Sequence, residues 1–248
     1  MYSLETRKLC KSFGALTVAD NIDFRLEPGA RHALIGPNGA GKTTFVNMLM
    51  GALAPSSGEI LLGGEPITHV KQYARVRRGL ARTFQVTTLF RNLPVIDNVA
   101  LGIAERQGTA TRMWRSASAH REIIEESRSL LAALGLADEA ATRVADLPYG
   151  KQRLVEIAIA LGLRPKVLLL DEPAAGVPSH EAERILQNLE RLPADIAILI
   201  IEHDMDLVFR FARRITVLVQ GVVLVEGTPD EIARDKRVHD VYLGEAHA

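Results

Sequence analysis

Along the first 27 residues apolar and polar positions alternate, most clearly in "YSLETRKL" and "NIDFRL". A period of two gives a strand one buried and one wet face, so this stretch predicts antiparallel strands with a turn near Gly14. From Arg31 the pattern changes. A short apolar run, "HALI", enters "GPNGAGKTT" and then "FVNMLMG", where Phe45, Met48 and Leu49 fall on one helical face and Gly51 ends the helix. The reading is strand, glycine loop, helix. Two later runs, "VLLL" at Val167–Leu170 and "IAILIIEHD" ending at His203, read as buried parallel strands. Between them and the first section, "REIIEESRSLLAALG" sets Ile123, Ile124, Ser127, Leu130, Leu131 and Leu134 on one helical stripe closed by Gly135.

The glycine loop carries the first candidate chemistry. Gly36, Pro37, Asn38, Gly39, Ala40, Gly41, Lys42 and Thr43 satisfy the phosphate-loop pattern, with Thr44 following. Glycines let backbone N–H groups converge on a phosphate without Cβ clash, Lys42 adds a point charge, and Thr43 is placed to ligate Mg²⁺. The run at Val167 ends in two carboxylates at the strand edge where α/β sheets bind ligands. Asp171 is expected to hold the Mg²⁺ shell and Glu172 to orient the water that attacks the γ-phosphate. His203 stands where it can sense that phosphate.

Composition narrows the setting. At 248 residues, 47% hydrophobic and 24% charged, the chain can bury a sizeable core. Thirty basic residues balance thirty acidic ones, so no overall field argues for nucleic acid or anionic lipid as the main partner. Cys10 is the only cysteine, which excludes an internal disulfide and fits a reducing compartment. No apolar run is long enough to span a bilayer and no signal core opens the chain, so a cytosolic protein is expected, one that serves any membrane from outside. Without repeats or a linker, a second domain would have to be an insertion. One charge run stands out: no acidic residue lies between Glu65 and Asp97, while Lys71, Arg75, Arg77, Arg78, Arg82 and Arg91 are basic. It is either a solvated helix face or, with Leu89, Phe90 and Leu93 read as exposed, a contact surface.

The ordered set "GPNGAGKTT", Gln85 in "ARTFQVTTLF", "LPYGKQR", "VLLLDEP" and "IEHD" resembles the nucleotide-binding subunit of ATP-binding cassette transporters over essentially the whole chain. Within that family, "LPYGKQRLVEIAIAL" and "DEPAAG" are most similar to one of the two cassette subunits of branched-chain (hydrophobic) amino-acid importers. The resemblance implies an α/β fold, a P-loop NTPase core with mixed sheet, an N-terminal antiparallel β subdomain and an inserted helical subdomain. It implies one cassette domain over 1–248, with the helical insertion at about 86–165 inside an ATP-binding core of 1–85 and 166–248. Phe13 matches the aromatic residue that stacks on adenine, Gln85 the glutamine that meets Mg²⁺ and water, and His203 the switch histidine. ATP and Mg²⁺ are the implied cofactors. A second cassette chain (homo- or heterodimer), transmembrane permease subunits and, indirectly, a solute-binding protein are the implied partners at the cytoplasmic face of the membrane, with no nucleic acid. A GTPase would need an Asn-Lys-x-Asp base reader, which is missing. The alternative kept beside the importer reading is a soluble cassette ATPase acting on nucleic acid or ribosomes.

The signature segment departs from the family. Where the pattern LSGGQ closes over the partner's γ-phosphate, this chain has Pro148, Tyr149, Gly150 and Lys151. Proline has neither hydroxyl nor N–H, so one charge-assisted contact of about 1.5–3 kcal/mol is lost. The helix start remains specified, with Asp146 expected as its N-cap, and still points positive charge at phosphate. A composite site built with this segment is therefore expected to close more weakly than one with serine. Pro178 and Ser179 stand where an Asp or Asn-Pro pair is usual, a second departure at the dimer contact.

Overall fold

A computed structural model of the chain describes residues 1–83, 89–108 and 117–244, without the side chains of 117–120 and 243–244. By its internal contacts the chain forms two units. One is Met1–Leu80 with Lys166–Glu172 and Pro193–Ala248; the other is Ala81–Pro165 with Pro173–Leu192.

The first unit opens with the hairpin that alternation predicts: β1 (Leu4–Phe13) runs antiparallel to β2 (Leu16–Leu26), turning at Gly14. β3 (Arg31–Ile35) leads through the glycine loop into α1 (Lys42–Met50), which ends at Gly51 as its C-cap. Phe45, Met48 and Leu49 of α1 are buried, each worth about 1.5–3 kcal/mol of apolar transfer. β4 (Ser57–Leu62) and β5 (Glu65–Pro66) complete an antiparallel sheet in the order β2-β1-β4-β5. After the short α2 (Gln72–Arg77), the chain leaves this unit within β6 (Leu80–Arg82).

The second unit is helical: α3 (Val95–Arg106), α4 (Ala117–Ala133) and α5 (Tyr149–Gly162). The chain crosses the first unit as β7 (Val167–Asp171), adds α6 (Ser179–Glu190) to the second, and returns for good. The remaining elements are β8 (Ala197–Ile201), α7 (Met205–Phe211), β9 (Arg214–Val219), β10 (Val222–Gly227), α8 (Pro229–Arg234) and α9 (Lys236–Gly244).

The central sheet of the first unit has the order β10-β9-β3-β8-β7. β3 is parallel to β8 and β9, β7 is parallel to β8, and β10 closes the edge antiparallel to β9. Every residue of β3, β7 and β8 is buried, which is why their sequences are unbroken rather than alternating. β8 stops at Ile201, two positions short of His203, so the histidine sits on the loop beyond the strand.

The basic run is not uniform. Arg75 is 1% exposed, and its guanidinium donates to the carbonyls of Met48 (2.8 Å) and Leu49 (2.6 Å) at the end of α1 and of Val70 and Thr68 (both 2.8 Å). It supplies donors to carbonyls that a helix end leaves over, so it belongs to neither of the two surface readings. Burial lowers its pKa to about 10, so it stays charged at neutral pH. Arg77, Arg78 and Arg91 are exposed.

In the second unit Ile123, Ser127, Leu131 and Leu134 are buried along the expected stripe. Arg106 of α3 binds the Glu126 carboxylate with both nitrogens (2.8 and 2.7 Å) and also donates to Gly162 O at 2.7 Å, tying three helices together. Leu89 is buried, contrary to expectation, while Phe90 and Leu93 are exposed. The buried Asn98 explains this: it accepts from Phe90 N (2.8 Å) and donates to Phe90 O (3.1 Å) and Pro94 O (3.0 Å), which leaves Phe90 facing out and Leu89 in.

Candidate functional site

The glycine loop is shaped by close backbone approaches. Gly36 lies so near the carbonyl of Leu218 on β9 that a Cβ would run into it, and a Cβ on Gly41 would stand 2.6 Å from Val18 O. Gly41, at φ 99°, is also the N-cap of α1, a backbone geometry that side chains rarely adopt. α1 thus starts without a side-chain cap and without an acid in its first turn. Lys42 donates to Gly36 O (2.5 Å) and Pro37 O (2.9 Å), holding its ammonium across the loop. A glycine-shaped backbone, the positive end of a helix and a lysine make an anion cradle.

β3, β8 and β7 run parallel, so Ile35, Ile201 and Asp171 end at one edge. With strands spaced about 4.8 Å apart, the ends of β3 and β7 lie about 10 Å from each other, on the scale of a triphosphate and the water that attacks it. Asp171 is 4% exposed. Glu172 follows in a left-handed conformation, φ 47°, fixed by its N–H donating to Ile201 O at 2.9 Å. Its carboxylate is partly exposed and lies 3.9 Å from His203 Nδ1. The strained backbone and the open side chain at one residue point to function.

Glu202 was not singled out by sequence reasoning. It is 2% exposed, its carboxylate accepts from His203 N at 3.3 Å and lies 4.0 Å from His203 Nδ1. The signal was a carboxylate closing the run "AILII". Asp204, next to His203, caps α7, accepting from the N–H groups of Asp206 and Leu207, so His203 is held between a strand end and a capped helix start.

Phe13 is 52% exposed at the end of β1, with Lys11 Nζ 4.9 Å from its ring centroid and the exposed Leu16 as its cross-strand neighbour. An aromatic ring that would ordinarily be core is here left open, a flat apolar plate. Val18 of the same hairpin lies against Gly41, so this plate stands near the loop. Gln85 lies outside the described residues.

The signature residues belong to the second unit. The N-cap of α5 is Pro148 itself (φ −54°, ψ 151°), not Asp146. Asp146 is in a short 3₁₀ turn and its carboxylate accepts from Arg143 at 2.9 Å, three residues back, which takes it away from the helix. Tyr149 is half-exposed, with the Arg153 guanidinium 5.1 Å from its ring. Arg153 also binds Glu156 at 2.9 Å; burial pushes that carboxyl up while the guanidinium pulls it down. Gly150 has the carboxylate end of Glu181 of α6 against it, and Lys151 pairs with Glu139. Pro178 is the N-cap of α6.

The oxygen donors fit a hard divalent cation: the hydroxyl of Thr43 in the first turn of α1 and the carboxylate of Asp171 at the edge of β7. Among the described residues no three His, Cys, Asp or Glu side chains cluster as a metal cage.

A strand, glycine loop and helix with carboxylates at neighbouring strand ends define a P-loop nucleotide-binding ATPase. Comparison with known proteins goes further. The family described as ABC transporter matches residues 19–175, and the one described as branched-chain amino acid ATP-binding cassette transporter matches residues 222–248. The chain is 36% identical to the high-affinity branched-chain amino acid transport ATP-binding protein LivG of Escherichia coli K12, covering 98% of both chains. It is 35% identical to BraF of Pseudomonas aeruginosa, described in the same words, again over 98% of each. Its fold superposes on the ADP conformation of MJ1267, an ATP-binding cassette of an ABC transporter, with a TM-score of 0.87 at 28% identity, covering 98% of this chain and 99% of that one. The chain belongs to the ABC transporter family and is an ABC ATPase, homologous to the LivG and BraF cassettes. Among the described residues no helix is long and apolar enough to cross a membrane.

Proposed function

We propose that this chain is the ATP-hydrolysing subunit of an importer for branched-chain or other hydrophobic amino acids. The observation that carries the reading is the meeting of Glu172 and His203 at the edge where the glycine loop also ends its strand. The names of the full-length relatives support the cargo.

In this reading the chain is one cassette domain, with the helical part at about 86–165 inserted in the ATP-binding core. The loop Gly36 to Thr44, through the N–H groups of its residues other than Pro37, and the Lys42 ammonium bind the phosphates, and Phe13 stacks on adenine. Thr43, Asp171 and Gln85 would hold Mg²⁺, which would neutralise phosphate charge. Glu172 orients a water toward the γ-phosphate, a task set by position and charge more than by basicity. His203, held beside Glu172 and Glu202, registers the γ-phosphate. Pro148, Tyr149, Gly150 and Lys151 meet the nucleotide of a second cassette, in a homodimer or heterodimer whose closing and opening drive permease subunits from the cytoplasmic face, with solute delivered by a binding protein.

The test is Glu172→Gln in the assembled transporter. ATP turnover is expected to fall about a hundred- to ten-thousand-fold while ATP affinity stays within about twofold. Leucine uptake should be lost in parallel. Hydrolysis at the wild-type rate would remove Glu172 from the mechanism, and normal leucine uptake by cells lacking the chain would remove the cargo.

A further inference from the structure

At the other end of the same strands the first unit has a cavity of about 410 Å³. β3 begins there at Arg31 and β9 at Arg214, so it lies at the edge opposite the glycine loop. Its volume is in the usual range for small-molecule sites, about 300–1,000 Å³.

The lining is rich in cations. Arg25, Arg31, Arg213 and Arg214 face it, against the carboxylates of Glu27 and Glu226. Glu226 is already engaged, accepting from Arg214 at 2.7 Å and from the Thr216 hydroxyl at 3.2 Å. Arg31 is 7% exposed, and its guanidinium is oriented by the carbonyls of Ile196 (2.7 Å), Gly29 (3.3 Å) and Ala30 (3.5 Å). Burial, and then the like charge of Arg213, hold Arg31 below its usual pKa. Two guanidinium groups brought together this way cost free energy that an anion between them would offset.

The other walls fit an organic ligand. Tyr2 offers its ring, with the Arg25 guanidinium 5.2 Å from the centroid, and Pro28 adds an apolar edge. His32 at the floor is 1% exposed, bonded through Nε2 to the Thr216 hydroxyl at 2.8 Å, and burial holds its pKa down to about 4. It is neutral at physiological pH, so the positive charge comes from the arginines.

We propose that this cavity binds a small organic oxyanion, a phosphate monoester or carboxylate of metabolite size, seated between Arg31 and Arg213 with its less polar part against Tyr2. Planar guanidinium forks match either head group two oxygens at a time. The site is separate from the nucleotide loop and stands whether or not the cargo reading does.

Isothermal titration tests it on the full chain saturated with ADP, so that the glycine loop is already occupied. The probes are ribose 5-phosphate, citrate and inorganic phosphate. One-to-one binding of ribose 5-phosphate or citrate is expected, and which of the two binds tighter identifies the head group. Arg213 is exposed, so Arg213→Glu should fold normally and weaken binding about tenfold or more. Tyr2→Ala should weaken the organic probe more than inorganic phosphate. No heat from any probe, or binding that Arg213→Glu leaves unchanged, overturns the proposal.

Discussion

The start of α1 and the start of α5 share one trait: neither Gly41 nor Pro148 caps its helix with a side chain, and neither first turn carries an acid. α8 shows the other solution, where Thr228 accepts from Glu231 N and the Glu231 carboxylate accepts from Thr228 N in a capping box. A capped start uses its N–H groups inside the protein, whereas an uncapped one leaves them to water or a ligand. The two uncapped starts differ in the charge around them. At α1, Lys42 donates to the Gly36 and Pro37 carbonyls of its own loop. At α5, Lys151 is paired with Glu139, and the Glu181 carboxylate already lies against Gly150. The first start, poised for phosphate, holds its lysine against its own loop; the second is partly neutralised within its own protomer.

That contrast orders the expected effects. Lys42→Ala removes the cation from the poised start and should weaken ATP binding by about 3 kcal/mol, roughly a hundredfold, in equilibrium dialysis. An affinity that holds would mean the loop N–H groups suffice. Pro148→Ser restores a hydroxyl to the neutralised start. In a Glu172→Gln background it should tighten ATP-driven pairing by about 1.5–3 kcal/mol, read by light scattering; no gain would place the weakness elsewhere. Glu139→Gln releases Lys151, a partly exposed pair, and should strengthen the same pairing only about threefold. If pairing weakens instead, the ion pair is holding the segment in shape rather than masking its charge.

What the sequence revealed follows the same line. The α1 start was legible because all its parts lie within Gly36 to Thr43, and loop, lysine and hydroxyl need only local backbone to meet. The parallel core was legible from unbroken apolar runs. The α5 start was not, since Glu139 and Glu181 reach it from other segments through tertiary packing. Asp146 misled for a related reason: a good capping residue was taken by Arg143. Arg75 read as one charge in a basic run, and only the folded chain sets it against the carbonyls of Met48 and Leu49. Leu89 turned inward because of Asn98, a residue whose side-chain bonds no pattern announces.

Glu172 has a consequence for durability. A non-glycine residue in left-handed backbone costs about 1–2 kcal/mol, and glycine there would give back only about 0.5–1 kcal/mol in chain entropy. Glu172→Gly should therefore melt at or slightly above the wild-type temperature in calorimetry while hydrolysing nothing. A lower melting temperature would mean that the carboxylate also supports the fold. Otherwise this carboxylate is one that selection for robustness alone would discard, and its presence marks where the molecule gives up endurance for turnover.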